Sequence, residues 1–495
     1  MGVVFRQSVK TTIVTFTGAL LGALIVYASV HIFTKAQYGF TKNLINIGAV
    51  FQLAVLLGIH NTLVTFVSRY EVYDKKKKVL LALGFIIPAI VTLSISILYV
   101  VFKEKILHIY QEQDIVMMRT YFLWVPVMVL IWSYVSMLEF YLVSQVKVAI
   151  PAFAKEILLR LGNIVFIILY YYKVISFSGF VASSVLSYII PLSVLWFVSA
   201  RTKGFGISFD WKVFSRKEYY EIIHFSWYHL LLGISANLMG YIDSLMLGPL
   251  DKEGFSSLAV YSTAIYIISI MTIPARAMSM TSFPILNEAY IAGDKAKVKD
   301  LFKRSSINIL IVAMAMFLLI ACNLKNAVAI LPKGYEGIAP IVLILMVGRI
   351  IDMATGMNSE LTSISNLYKF NLRVSLLLLL MVIVFDRLLI PSYSYYGAAL
   401  GATLAFAIYN IIKMIFLWVK MGIQPFSAKT TWVLLAAGIS FLAGYFLPFI
   451  YNPYIDAICR SIITCLAYVI LLFWFKPSVD LTTYLISIKA NKKLF

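Results

Sequence analysis

The stretch TTIVTFTGALLGALIVYASVHIF, residues 11–33, carries no charged side chain ahead of His31, and its reading decides the fold. A helix that crosses a bilayer needs about 20 mostly apolar residues, and this stretch supplies them. It is too long for the core of a signal peptide, and no obvious cleavage site follows it, so it is expected to be a permanent span. Stretches of the same character recur along the 495 residues with short polar breaks between them. Hydrophobic residues make up 61% of the chain and charged ones 13%, with a mean hydropathy of +0.91. Soluble domains carry about 25% charged residues, which excludes a string of them here.

Cutting at charge and turn clusters predicts an all-α polytopic membrane protein of about fourteen transmembrane helices. The expected limits are 11–33, 43–68, 79–102, 120–143, 157–172, 177–200, 222–248, 258–283, 305–324, 339–365, 374–391, 397–419, 431–450 and 458–475. Two of these cuts, near Lys173 and Asp386, divide long apolar stretches. Net charge is +20, yet the basic residues lie in alternate connections. One set includes RYEVYDKKKK, RTKGFGISFDWKVFSRKEYY, GDKAKVKDLFKR and the tail KANKKLF, and holds roughly 28 of the 42 Lys and Arg against roughly 11 in the other. That asymmetry predicts cytoplasmic termini and membrane topology as the origin of the charge, with no nucleic acid as partner.

Weak internal duplication predicts two lobes. KAQYGF leads into a span and the lysine cluster 75–78, and LAVYSTA leads into a span and the cluster 295–304, roughly 220 residues later. The expected organisation is an N-terminal lobe (1–200, spans 1–6), a cytoplasmic linker (201–221), a C-terminal lobe (222–420, spans 7–12), and spans 13–14 with a cytoplasmic tail (421–495). Gly18 with Gly22, and Gly397 with Gly401, stand four apart, a spacing that either lets helices approach closely or reflects ordinary small residues. The three cysteines, Cys322, Cys459 and Cys465, have no paired spacing and read as core residues.

Ionisable residues inside apolar spans cost several kcal/mol when they face lipid, so each needs an account. They are His60, Glu139, Asp243, Arg276, Arg349, Asp352, Glu360 and Lys413. Arg276 lies in MTIPARAMSM (271–280), roughly 9 Å past the middle of its span toward the cytoplasm. Either it snorkels to the inner interface, or it lines a cavity where Pro274 breaks the helix and frees a carbonyl one turn earlier. Arg349 and Asp352, three apart, share a helix face, where they either neutralise each other or join Glu360 in a polar stripe. Lys413 is near enough the inner end to snorkel, and His60 beside Asn61 suits either packing or a cavity.

Taken together, Arg276, Arg349, Lys413 and His60 are the candidates for binding an anionic substrate, pyrophosphate in particular. Asp352, Glu360, Glu139 and Asp243 are candidates for ion coupling or charge pairing. No metal-binding helix, phosphate-cradling loop or nucleophile with a base accompanies them, so the expectation is no enzyme, no cofactor and no metal. Transport would then draw on an ion gradient, the substrate gradient or the membrane potential, with the carboxylates as candidate proton sites.

Three segments resemble a known family: residues 33–64 (FTKAQYGFTKNLINIGAVFQLAVLLGIHNTLV), residues 241–294 (YIDSLMLGPLDKEGFSSLAVYSTAIYIISIMTIPARAMSMTSFPILNEAYIAGD) and residues 348–360 (GRIIDMATGMNSE). They are similar to polysaccharide-export flippases of the multidrug/oligosaccharidyl-lipid/polysaccharide exporter superfamily. The resemblance implies a two-lobe bundle in the bacterial inner membrane. Such a bundle moves a lipid-linked oligosaccharide, usually on undecaprenyl pyrophosphate, to the outer leaflet in polysaccharide or O-antigen synthesis, alongside other polysaccharide-assembly proteins. Lipid II flippases of the same superfamily carry basic and acidic residues in span one, and drug/cation antiporters have twelve spans and a carboxylate there; residues 11–30 contain neither charge. A membrane polymerase or glycosyltransferase is a third reading, disfavoured by connections of at most about 20 residues.

Overall fold

The computed structural model describes residues 2–71, 74–364, 368–480 and 483. Most of the expected tail, including KANKKLF, lies outside the described residues. Among the described residues every regular element is helical. Contacts group the chain into two units, residues 1–259 and 260–495.

The first unit contains α1 (Gly2–Ile32), α2 (Lys35–Leu56), α3 (Ile59–Val67), α4 (Lys75–Val101), the short α5 (Lys103–Leu107) and α6 (Glu112–Tyr121), and α7 (Trp124–Ser144). It continues with α8 (Ala149–Phe153), a π turn over Ala154–Leu158, α9 (Leu159–Tyr171), α10 (Phe177–Leu186), α11 (Ile189–Ala200), α12 (Arg216–Asn237) and α13 (Met239–Leu250). α14 (Phe255–Ile291) starts in this unit and runs on in the second. The second unit adds α15 (Lys295–Ala321), α16 (Leu324–Ile330), α17 (Ile338–Ala354), α18 (Asn358–Ile364), α19 (Tyr368–Met421), α20 (Ala428–Tyr445) and α21 (Pro453–Phe475).

This is an all-α polytopic membrane protein. Nine described helices are long and apolar enough to cross a bilayer, or ten if the bent pair α17 and α18 is one span. Helical segments overlie all fourteen expected stretches. The smaller number arises because α8–α9 and α12–α13 are interrupted, α20 is not among the nine, and the two arms of α19 count once. Lys173 does mark a turn, with a left-handed φ of 57°. The second cut falls elsewhere than Asp386, which is fully buried within the first arm of α19. The chain reverses eight residues later at Ser394 (φ 54°), after Pro391. A Cβ on Gly401 would approach Asp386 Oδ1 to 2.8 Å and one on Gly397 would strike the Leu389 carbonyl, so both glycines permit the two arms to pack. Gly18 plays the same part for α1, where a Cβ would meet Glu156.

Each unit has its own core. In the first, Leu63, Phe66, Val79, Leu80, Leu138, Tyr141 and Leu195 pack α3, α4, α7 and α11 together. The linker is fastened to this unit by Lys76–Glu218 (2.6 Å), Arg69–Glu221 (3.2 Å) and the bond from Ser208 N–H to Lys78 O (3.3 Å). Lys76 holds the Glu218 carboxyl well below the usual range, at about 2, with the Ser215 backbone N–H assisting. α12 and α13 make contacts with α2 and α3. In the second unit, Leu310, Met314, Leu318, Val433, Ala436 and Tyr468 join α15 to α20 and α21, and the Tyr468 hydroxyl donates to Ile311 O (3.1 Å). Spans 13 and 14 are thus built into the core of this unit.

Candidate functional site: a charged cavity in the second unit

A cavity of about 550 Å³ opens among α14, α15, α17 and α18. Thr272, Arg276 and Ser279 come from α14, Arg349 and Asp352 from α17, and Ser359 and Glu360 from α18. Their placement follows from two local features. α14 is a 37-residue helix, roughly 55 Å long at 1.5 Å per residue, which carries Arg276 well along its length. α17 and α18 are bent by 45° at Thr355–Met357, where Gly356 has a φ of 65°. A Cβ at Gly356 would come within 2.1 Å of Ser306 Oγ on α15, so glycine satisfies both the left-handed backbone and the close approach.

The broken helix is therefore not the one expected. α14 continues through Pro274 and Pro284 without interruption. Proline removes one backbone donor but its φ is itself helical, so a helix that neighbours support can pass through it. The break lies instead beside Asp352, where the backbone ladder of α17 ends on i→i−3 bonds: Thr355 N–H donates to Asp352 O at 3.3 Å and Gly356 N–H to Met353 O at 3.1 Å.

Arg276 is exposed to the cavity. Arg349 does not form an ion pair with Asp352 among the described residues; its guanidinium lies over the Phe406 ring at 4.7 Å to the centroid. Both charges are thus presented to the cavity rather than cancelled against each other. Across it stand Ser279 and Glu360, with Lys413 behind them.

Lys413 itself lies behind the wall. It is 0% exposed, so the expected snorkelling does not occur. Its Nζ donates to Ser359 Oγ (2.7 Å) and to the Tyr409 hydroxyl (3.0 Å), tying α19 to the cavity-lining turn of α18. An ammonium with two short bonds to fixed hydroxyls can position Ser359 and place a positive charge behind the cavity wall without touching a ligand.

The remaining candidates belong to the first unit. Glu139 is paired with Lys155 at 2.8 Å. His60 sits in the first turn of α3, with Nε2 bonded to the Asn61 amide (3.0 Å) and its ring edge-on to Phe140. Its Nδ1 is buried without a partner among the described residues, and His229 of α12 is its electrostatic neighbour. Asp243 is half-buried on α13.

Two ion pairs within helices add charges that the sequence reading did not single out, one half-buried and one buried. Glu156 and Arg160 pair across the π turn, and Arg160 also donates to the Gly18 carbonyl of α1. Asp456 and Arg460 form a buried pair in α21, with the guanidinium reaching the carbonyls of Gly444 and Leu447. Both pairs have the i, i+4 spacing that was the available signal. Arg160 and Arg460 fall inside the expected spans 157–172 and 458–475, while Glu156 and Asp456 stand just outside them.

The arrangement offers two guanidinium groups, two carboxylates and several hydroxyls around a space large enough for a phosphorylated or glycosylated headgroup. No protein-family model matches the chain. Among solved structures, the lipid II flippase MurJ in an inward closed conformation superposes with a TM-score of 0.74 at 13% identity, covering 94% of this chain and 98% of that one. An inward-facing multidrug resistance MATE family transporter of the MOP superfamily gives 0.67 at 15%, covering 82% and 94%. The chain has the MOP-superfamily transporter fold. That superfamily is the multidrug/oligosaccharidyl-lipid/polysaccharide exporter group that the sequence segments resemble. A MOP-superfamily transporter from Pyrococcus furiosus, described as having a binding pocket of reversed polarity, gives 0.56 at 14% identity over 85% of this chain and 96% of that one. In sequence, the capsular polysaccharide biosynthesis protein CapF of Staphylococcus aureus is 29% identical over 154 residues. That match spans 31% of this chain and 39% of CapF.

Proposed function

We infer that this chain is a flippase that carries a lipid-linked oligosaccharide from the cytoplasmic to the outer leaflet of a bacterial cell membrane by alternating access. The observation that carries the reading is the cavity that presents Arg276 and Arg349 together inside a membrane-embedded helical unit. Guanidinium groups without a carboxylate partner among the described residues are costly in a membrane span unless a ligand or water meets them, and a pyrophosphate accepts their forked hydrogen bonds. Ser279, Ser359 and Thr272 suit the hydroxyl-rich glycan, and a polyprenyl tail can stay in lipid. Undecaprenyl pyrophosphate is the proposed carrier, with polysaccharide or O-antigen assembly as the pathway. The partial likeness to CapF adds weight to a polysaccharide role. The chain acts as a transporter with no chemical step of its own, and Asp352 and Glu360 are the proposed ion-coupling groups.

A second reading has specific support. Asp352 and Glu360 in the same cavity would suit a cationic substrate, as a gradient-driven antiporter requires. The experiment that separates the two is disruption of the gene. The flippase reading expects loss of surface polysaccharide with lipid-linked repeat units accumulating on the cytoplasmic side. Normal surface polysaccharide, together with new sensitivity to cationic dyes, would replace it with the antiporter.

A further inference from the structure

A second, smaller cavity of about 200 Å³ lies apart from the charged one, where the start of α15, the start of α20 and the segment following α21 converge. Asp300, Lys303 and Arg304 enter it from α15, Ser427 and Lys429 from the start of α20, and Ser478 from the last segment. The walls are tied together. Ser478 Oγ donates to Asn308 Oδ1 (2.6 Å), Asn308 Nδ2 donates to Asp480 Oδ2 (2.8 Å), and Arg304 bridges Asp300 (2.8 Å) and Asp480 (3.5 Å).

The charge balance is uneven. Both carboxylates are engaged by Arg304, whereas neither Lys303 nor Lys429 has an ion-pair partner among the described residues. Three cations therefore face two carboxylates in a tied, concave site, which leaves it net positive with both ammonium groups free of an ion pair among the described residues. The volume holds a phosphate group together with several waters, each of about 30 Å³. The depth is also informative. Trp432 and Phe475, close in sequence to the cavity residues Lys429 and Pro477, pack with ring centroids 4.8 Å apart and planes tilted by 35°, and Trp474 is largely exposed. Tryptophans of this kind sit at the headgroup level of a bilayer. Three connections on this side belong to the lysine-rich set, which marks it as the cytoplasmic side, where anionic lipids attract polybasic segments.

We propose that this cavity is a phosphate-binding site at the cytoplasmic interface, held by Lys303, Lys429 and Arg304. The phosphate is presented either by an anionic phospholipid headgroup or by a soluble phosphate. The site is separate from the transport cavity and does not depend on the substrate carried there.

The test uses the full-length protein in nanodiscs of phosphatidylcholine, with or without an equal share of phosphatidylglycerol, and follows thermal unfolding and lipid retention. In a third arm, inorganic phosphate is titrated into the phosphatidylcholine discs. Each ammonium near an anionic surface is worth about fivefold in affinity, so the double variant Lys303→Gln/Lys429→Gln should weaken retention of phosphatidylglycerol about thirtyfold. A variant that removes equal charge from the exposed face of α15, Lys295→Gln/Lys297→Gln, should change it less than about threefold. Stabilisation by phosphatidylglycerol that the cavity variant abolishes identifies a lipid headgroup. Stabilisation by inorganic phosphate alone, with the same loss, identifies a soluble phosphate. Equal effects of the two double variants, or no response to either ligand, would overturn the proposal.

Discussion

Replacing Lys413 with methionine separates positioning from stability. The ammonium is fully buried, bonded to Ser359 Oγ at 2.7 Å and the Tyr409 hydroxyl at 3.0 Å. Hydrogen bonds from a charged donor contribute about 1.5–3 kcal/mol each, but burying the ammonium costs several kcal/mol, and an apolar isostere removes both terms. The net change in stability is therefore small, about 1 kcal/mol, or about 2–4 °C for a unit the size of residues 260–495. Transport should respond differently. Lys413→Met frees Ser359, which lines the cavity, and takes a positive charge from beside Glu360. Loss of one charged hydrogen bond from the transport-competent geometry lowers the rate about ten- to hundredfold. Thermal unfolding in detergent and substrate flipping in proteoliposomes would be measured on the same preparation. Wild-type flipping by Lys413→Met would refute the reasoning, and a fall in folded protein that matches the fall in flipping would make Lys413 purely structural.

Asp114 precedes the fourth span, is 2% exposed, and accepts the Phe255 N–H at 2.9 Å. Burial pushes its carboxyl up to about 6 against the opposing pull of that N–H. The folded state then keeps a proton that the unfolded chain releases, so stability falls as pH rises from about 4 to about 6, by roughly 3 kcal/mol. Asp114→Asn keeps the acceptor and should flatten this slope in thermal unfolding across that range; an unchanged slope would assign it to other groups. Arg460→Ala strands Asp456 in the interior and should cost about 3–5 kcal/mol, whereas the joint change Arg460→Met/Asp456→Leu should recover much of it in unfolding measurements. Gly356→Ala forces a left-handed alanine against Ser306, costing at least about 1–2 kcal/mol, and Ser306→Gly in the same chain should restore part of the lost stability.

The helical architecture was legible because a bilayer imposes one length and one composition on every span, and the turn at Lys173 and the close approaches at Gly18, Gly397 and Gly401 were visible as local chemistry. The segments MTIPARAMSM and GRIIDMATGMNSE also held the four charged residues that one cavity gathers, Arg276, Arg349, Asp352 and Glu360. What could not be read was how neighbours override local signals. Pro274 looked like a break but its φ is compatible with helix, while Gly356 made the actual break because α15 crowds it. Lys413 looked able to reach the interface, yet Tyr409, one turn earlier on the same helix, and Ser359 retain it, and Ser359 comes from another helix that a span drawn alone does not show. Asp386 looked like a boundary and is a core residue, since the second arm of α19 folds back over it.

The central claim is that the cavity binds an anionic headgroup through Arg276. It is tested most directly by measuring flipping of a fluorescent undecaprenyl-pyrophosphate oligosaccharide in proteoliposomes that contain equal amounts of folded wild-type, Arg276→Ala and Arg276→Lys protein. Removing one charge-assisted contact worth about 1.5–3 kcal/mol should slow the alanine variant about ten- to hundredfold, with lysine restoring part of the rate because it supplies charge without the fork. Flipping by the alanine variant at the wild-type rate would contradict the account.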